Sequence, residues 1–268
     1  MARAIPFNAL ILAGNRREGD PVAAMAGVSH KALAPINGVP MLLRLYRTLR
    51  ACPGIESIHV CIDDGALLNA VPDLAAARDA GMLRLVAPGE SPAASLAHAL
   101  EEIGLGHPLL VTTADHPLLD VAMVGYLLDH APEDADLAVG LADGAIVTAR
   151  YPGAIRTFYR FQGQRVSGCN LFLARGAGAR RVALYWRRME RFRKKPLRLV
   201  WEVGPLALLR LVLGRLSLAD AFAHLSRRIG ARIQPVLLPF PEAPIDVDKP
   251  ADFTLVGEIL RQREGGAI

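Results

Sequence analysis

Four short segments carry residue types whose chemistry goes beyond folding. Leu12-Ala13-Gly14-Asn15-Arg16-Arg17 follows an apolar run and is succeeded by Lys31. A glycine at a strand end lets backbone N–H groups approach phosphate oxygens, and Arg16, Arg17 and Lys31 could offset phosphate charge. An ordinary strand-to-loop turn with solvated arginines would use the same residues. The spacing matches neither G-x-x-x-x-G-K-[ST] nor G-x-G-x-x-G. Val111-Thr112-Thr113-Ala114-Asp115-His116-Pro117 ends an apolar run on a carboxylate. There Asp115 could hold Mg²⁺ against substrate phosphates, with Thr113 facing the nucleotide, or it could simply serve the turn before Pro117. In Pro244-Ile245-Asp246-Val247-Asp248-Lys249-Pro250 two carboxylates at spacing two on extended chain point the same way. Asp248 is the candidate second metal contact with Asp246 in support, unless both only complement the dipole of the helix that follows. Ser91 and Ser95 could set hydroxyls against a ribose or base, although a capped helix start needs nothing more.

Two further positions belong to an acceptor. Asn170, after Ser167-Gly168-Cys169, opens an apolar run expected at the same sheet edge, and Gly168 leaves room beside it. Cys169 reads as packing, since no partner base lies nearby. His116 reads as a structural neighbour of Asp115, because transfer to an existing phosphate requires no proton removal.

The elements that must position these residues alternate along the chain. Asn8–Ala13, Ile58–Ile62, Leu83–Val86, Leu109–Thr113, Leu137–Leu141 and Ile233–Leu238 are short apolar runs of strand length. Between them, Pro40 opens a helix with Met41, Leu42, Leu45, Tyr46 and Leu49 on one face. Ser91-Pro92 starts another helix, Asp120 caps a third, and a last one follows Pro250. Strand and helix in alternation predict an α/β fold: a mostly parallel twisted sheet with helices on both faces. In such sheets ligands sit outside the carboxyl ends of the strands, where Gly14 and Asp115 fall. The rhythm breaks after residue 150, and residues 176–231 read as a basic helical insertion into one domain spanning 1–268.

Charge and composition narrow the function classes. Arg180 to Arg232 holds fourteen Lys/Arg against Glu190, Glu202 and Asp220, an excess of +11 in a chain of net +5, so the remainder carries −6. A basic segment on an acidic body implies one dedicated surface and argues against a nucleic-acid binder. Trp186 to Arg198 interleaves cations with aromatics, and Leu206 to Leu213 is apolar apart from Arg210. That pairing suits peripheral contact with an anionic membrane or a lipid-like acceptor, or else a lid with buried leucines and solvated arginines. Cys52, Cys61 and Cys169 form no zinc spacing and fit a reducing compartment. No segment has the length of a membrane span, so the expected location is cytoplasmic, with the inner membrane surface as the peripheral option. The sequence leaves the oligomeric state open.

Taken together, the segments resemble the MobA-like NTP transferases, the sugar-nucleotide, molybdopterin and cobinamide nucleotidyltransferases of the GT-A-like Rossmann fold. Leu12-Ala13-Gly14-Asn15 with Lys31-Ala32-Leu33 is similar to the family's phosphate-wrapping L-A-G-G loop and Lys-Leu pair. Ala114-Asp115-His116-Pro117-Leu118-Leu119 is similar to its D-x-P-[LF]-[LI] element, and Asp246 to Asp252 to its late acidic element. Asn15 stands where the family carries a second glycine, and the span from Asn15 to Lys31 is longer than is typical. The resemblance covers residues 6–175 and 233–262, and it implies an Mg²⁺-dependent nucleotidyltransferase. Such an enzyme moves a nucleoside monophosphate from a nucleoside triphosphate to a phosphorylated acceptor and releases pyrophosphate. In that reading Lys31, Asp115 and Arg17 act on the phosphates, and Asp115, Asp248 and Asp246 serve the metal. The rivals are a GT-A glycosyltransferase, which normally carries D-x-D where this chain has one carboxylate, and a nucleotide-binding regulator that has lost turnover.

Overall fold

The computed structural model describes residues 6–14, 19–192 and 204–265. Its strands are β1 (Phe7–Leu12), β2 (Pro35–Ile36), β3 (Val39–Pro40), β4 (Ile55–Cys61), β5 (Leu83–Val86), β6 (Leu109–Thr113), β7 (Leu137–Asp143), β8 (Tyr159–Phe161), β9 (Gln164–Ala174) and β10 (Ile233–Leu238). The main sheet runs β10-β7-β9-β6-β1-β4-β5, with β8 paired to β9 outside that path. The helices are α1 (Pro21–Ala26), α2 (Met41–Ala51), α3 (Pro72–Asp79), α4 (Pro92–Ile103), α5 (Val121–His130), α6 (Gly144–Arg150), α7 (Gly176–Phe192), α8 (Pro205–Val212), α9 (Leu218–Ile229) and α10 (Pro250–Glu264).

Strand residues divide between two helical layers with period two. On β1, Phe7, Ala9 and Ile11 face a core shared with α2, α3 and α5. Leu10 and Leu12 face the other core, shared with α4, α7 and α9. Burial on both faces is why these strands read as continuous apolar runs. The local start signals hold: Ser91 caps α4 with Pro92 at its first position, and Asp120 caps α5. The five apolar residues named for α2 are all buried.

Two expectations need correction. Pro40 caps α2 rather than opening it, because Val39–Pro40 pairs with Pro35–Ile36. The turn of that ribbon is Asn37-Gly38, both at positive φ (51° and 79°), the conformation that Asn-Gly supplies to a two-residue hairpin. The strand expected from Asn170 begins at Gln164 and runs antiparallel to β6 and β7 in an otherwise parallel sheet. Asn170 therefore sits inside a strand, at φ 48°, where the β7–β9 register shifts. That reversal carries the first half of β9 toward the carboxyl ends of β1 and β6.

The basic segment is helical where it is described. Residues 193–203, which include Arg193, Lys194, Lys195, Arg198 and Trp201, lie outside the described residues. Helices α7 and α9 pack on the sheet through Ala179, Ala183, Phe222, Leu225 and Ile229. Both ends of the segment meet one carboxylate: Asp136 accepts from Gly178 N (3.0 Å) and from Arg232 N (2.8 Å). Among the described residues no helix is long and apolar enough to cross a membrane.

His59 and His116 are buried, at 7% and 1% exposure. Burial is the main cause that lowers each to about 4, with Arg84 adding to the effect at His59. Both are neutral in the fold, whereas an unfolded histidine takes up a proton near pH 6.5. Their contribution to stability is complete above that pH and is lost as pH falls towards 4. Urea unfolding of His59→Gln should show a shallower loss between pH 6.5 and 4 than the parent, by up to about 1.4 kcal/mol per pH unit. Superimposable curves for the two proteins would show that His59 does not titrate on unfolding.

Candidate active site

Asp115 and Lys31 reach the carboxyl edge of the sheet by different routes. Asp115 stands two residues past β6, where Ala114 N donates to Leu12 O (2.9 Å) and prolongs the β1–β6 pairing. Lys31 opens a 3₁₀ turn, Lys31–Leu33, that His30 caps by accepting from Ala32 N (3.1 Å). The third route is the segment before α10. There Ile245 and Val247 are fully buried against Ile36, Val256 and Leu260, so the intervening Asp246 and the following Asp248 turn the other way. Val247 N donates to Asp115 O (2.8 Å), fastening this segment to the end of β6.

The three routes converge on one ammonium. Lys31 Nζ donates to Asp115 Oδ2 at 2.8 Å and to Asp248 Oδ1 at 3.1 Å. Burial opposes the charge on Lys31, but the two carboxylates outweigh it and hold the ammonium above its ordinary value. The other oxygen of Asp115, Oδ1, is buried with no hydrogen-bond partner among the described residues. A buried carboxylate oxygen left open beside a second carboxylate suits a hard divalent cation. Among the described residues no group of three or more His, Cys, Asp or Glu side chains is disposed to hold a metal. Mg²⁺ bound through one or two carboxylates and substrate phosphates needs no such group, so the residues fit that ion.

Asp246 is engaged differently. Its Oδ1 accepts from Arg156 Nη1 (2.5 Å) and its Oδ2 from Asn170 Nδ2 (2.8 Å). Burial, reinforced by Asp115 and Asp248, pushes its carboxyl up to about 6 against the pull of Arg156 and Asn170. Both oxygens are taken, so Asp246 acts on its neighbours in this arrangement.

Two cavities open on either side of Asp248. The first, of about 760 Å³, is lined by Leu12, Ala13, Gly14, Asp20, His30, Lys31, Asp63, the 88–92 segment, Ser95, Thr113, Asp115 and Asp248. Of the expected phosphate loop, Ala13 N is committed to Cys61 O (2.8 Å), while a side chain at Gly14 would meet no described residue within 4 Å. The space beside Gly14 thus belongs to the cavity. Asn15, Arg16 and Arg17 lie outside the described residues. Ser91 Oγ and Ser95 Oγ, expected to face a ligand, first serve the chain: they accept from Ala94 N (3.2 Å) and Gly89 N (2.9 Å). Gly89 comes so near α4 that a Cβ there would lie 2.6 Å from the Ala94 carbonyl carbon. The second cavity, of about 720 Å³, is lined by Tyr151–Thr157, Tyr159, Ser167, Gly168, Asn170, Asp246, Asp248 and Lys249.

Sequence reasoning did not find Arg156, His30, Asp63 or Asp20. His30 sat beside Lys31 in the sequence and could have been suspected. Its ring is buried, with its charged form disfavoured mainly by that burial. Arg156 lies in a stretch with no motif, and its partners are 90 and 96 positions away. Cys169 is buried and its thiol is raised by burial, in keeping with a packing role.

A family model for the MobA-like NTP transferase domain matches residues 9–232. An 8-amino-3,8-dideoxy-manno-octulosonate cytidylyltransferase from Shewanella halifaxensis (strain HAW-EB4) is 29% identical over 116 residues, 40% of this chain and 44% of that protein. The match therefore spans less than half the length of that relative. A hypothetical transferase structure from Thermus thermophilus superposes with a TM-score of 0.77 at 34% identity, covering 93% of this chain and 100% of the other. A CMP:2-keto-3-deoxy-manno-octonic acid synthetase, solved with CTP, superposes with a TM-score of 0.55 at 14% identity over 97% and 99% of the two chains, and shows the fold alone. With a family model spanning most of its length, the chain belongs to the MobA-like NTP transferases, a family of nucleotidyltransferases.

Proposed function

We propose that the chain transfers a nucleoside monophosphate from a nucleoside triphosphate to a phosphorylated acceptor, releasing pyrophosphate. The observation that carries this reading is the pair of cavities meeting at Asp248, with Lys31 and Asp115 at the junction. The triphosphate lies along Gly14 and Lys31 in the first cavity, and the acceptor enters the second beside Gly168 and Asn170. An oxygen of the acceptor phosphate attacks the α-phosphorus in line. The bond from that phosphorus to the bridging oxygen breaks, and pyrophosphate leaves with its electron pair. Asp115 and Asp248 would hold Mg²⁺, which when bound offsets phosphate charge and orients the leaving group. Lys31 contributes positive charge at the same place, and the chain's remaining contribution is positioning.

A phosphate nucleophile suits the second cavity. Among the described residues no histidine lines it, and Asp246 has both carboxylate oxygens occupied by Arg156 and Asn170. Arg150 and Lys249 also line it, and their cationic groups can receive an acceptor phosphate.

A lipid-like acceptor draws support from two exposed surfaces. Ile155 and Tyr159 line the second cavity and remain largely exposed. At the end of α8, Leu209, Val212 (77% exposed) and Leu213 face solvent beside the exposed Arg210 and Arg215. Apolar side chains flanked by arginines suit an anionic bilayer surface.

Three outcomes test these statements. Asp115→Ala should release pyrophosphate roughly 10²–10³-fold more slowly than the parent, the scale of losing a key electrostatic stabiliser. Parental speed, assayed with each of the four NTPs, would remove Asp115 from the reaction. Gly14→Val should raise KM for the triphosphate by about tenfold or more and leave the unfolding midpoint in place, since the new side chain enters cavity space. Unchanged KM would exclude the Gly14 loop from the phosphates. Vesicles containing phosphatidylserine should co-sediment the protein at low salt, and the double variant Val212→Glu/Leu213→Glu should stay in the supernatant. Failure of the parent to co-sediment ends the membrane proposal.

A further inference from the structure

Arg156 hydrogen-bonds two carboxylates, Asp246 and Asp252, that flank the segment presenting Asp248. The guanidinium is 6% exposed and forks: Nη1 donates to Asp246 Oδ1 and Nη2 to Asp252 Oδ1. The second oxygen of Asp252 accepts from the backbone N–H of Asp248 (3.2 Å) and of Lys249 (2.9 Å). A continuous path thus runs from the wall of the second cavity, through Asp252, to the backbone that carries Asp248. We propose that Arg156 is a positioning residue that fixes Asp248 for the divalent cation, a step that rests on the role given to Asp248 under Proposed function.

Physical reasons favour a structural lock over substrate contact. Asp246 and Asp252 are 22% and 13% exposed and stand near Asp115 and Asp248, so four carboxylates share one region with the cations Lys31 and Arg156. Without Arg156 two poorly hydrated carboxylates would lose their common counter-charge, and mutual repulsion would spread the 246–252 segment. A planar fork can satisfy two separate carboxylates at once, which one ammonium cannot do in the same geometry. Each Nη donates to a carboxylate, while Nε is buried without a partner among the described residues. Groups that orient a metal ligand from behind are worth about 10–100-fold in metal affinity.

The test compares Arg156→Ala and Arg156→Lys with the parent, the lysine variant guarding against a failure of the alanine variant to fold. Hydrogen exchange is read at the amides of Asp248 and Lys249 with no ligand present. Both amides should exchange at least about tenfold faster in the variants, because the carboxylate that accepts them is no longer held. In pyrophosphate release assays, the Mg²⁺ concentration for half-maximal rate should rise about 10–100-fold, and saturating Mg²⁺ should restore most of kcat with KM for the triphosphate unchanged. Parental protection of both amides in a folded variant overturns the proposal. So does a fall in kcat that saturating Mg²⁺ leaves in place, which would mark Arg156 as a substrate contact. If the parent itself releases no pyrophosphate with any NTP, the transfer reading fails, while the amide measurement still decides whether Arg156 holds Asp248.

Discussion

One lysine held between two aspartates organises this molecule. Lys31, Asp115 and Asp248 come from three distant parts of the chain; the charges of Lys31 and Asp115 are largely withdrawn from water, and Asp248 stands at the more open side. Such charges are tolerable only when they are paired, because an isolated buried ion costs more than its neighbours return. The pairing therefore fixes where the turn after α1, the end of β6 and the segment before α10 must meet. Among the described residues one buried oxygen of Asp115 has no partner, so the cluster retains capacity for a further cation. With one ammonium between two carboxylates the cluster is short of positive charge at rest, which suits it to receive a polyanion together with its metal.

The sequence was most legible where the signal is local. Ser91-Pro92, Asp120 and Pro250 mark helix starts with side chains and φ restrictions that act within one turn, and the structure places α4, α5 and α10 there. Strand positions were readable from continuous apolar runs, since burial on both faces leaves no other composition open. Strand direction was not. Residues 164–174 look like any buried strand, and their antiparallel course depends on pairing with β6 and β7, which no local pattern encodes.

The site divides along the same line. Lys31, Asp115 and Asp248 stood next to turn residues in recognisable spacings, and the alternation of Ile245, Asp246, Val247 and Asp248 foretold which side chains share a face. Arg156 was invisible because its significance lies in partners some ninety residues away. Asn170 was noticed for its position at a presumed strand start. Its actual reason is different: a left-handed backbone at a register shift, a conformation Asn adopts more readily than most residues, which aims the amide at Asp246.

The closure of the basic segment at Asp136 has an evolutionary corollary. Because the entering Gly178 and the departing Arg232 bond to the same carboxylate, the span between them begins and ends at one fixed point on the sheet. The entropy of closing such a span rises only slowly with its length. Residues between the packed helices α7 and α9 can be lengthened, shortened or exchanged as a cassette while those helices and the strands beneath keep their places. The fold thereby separates what must be inherited intact from what is open to tinkering.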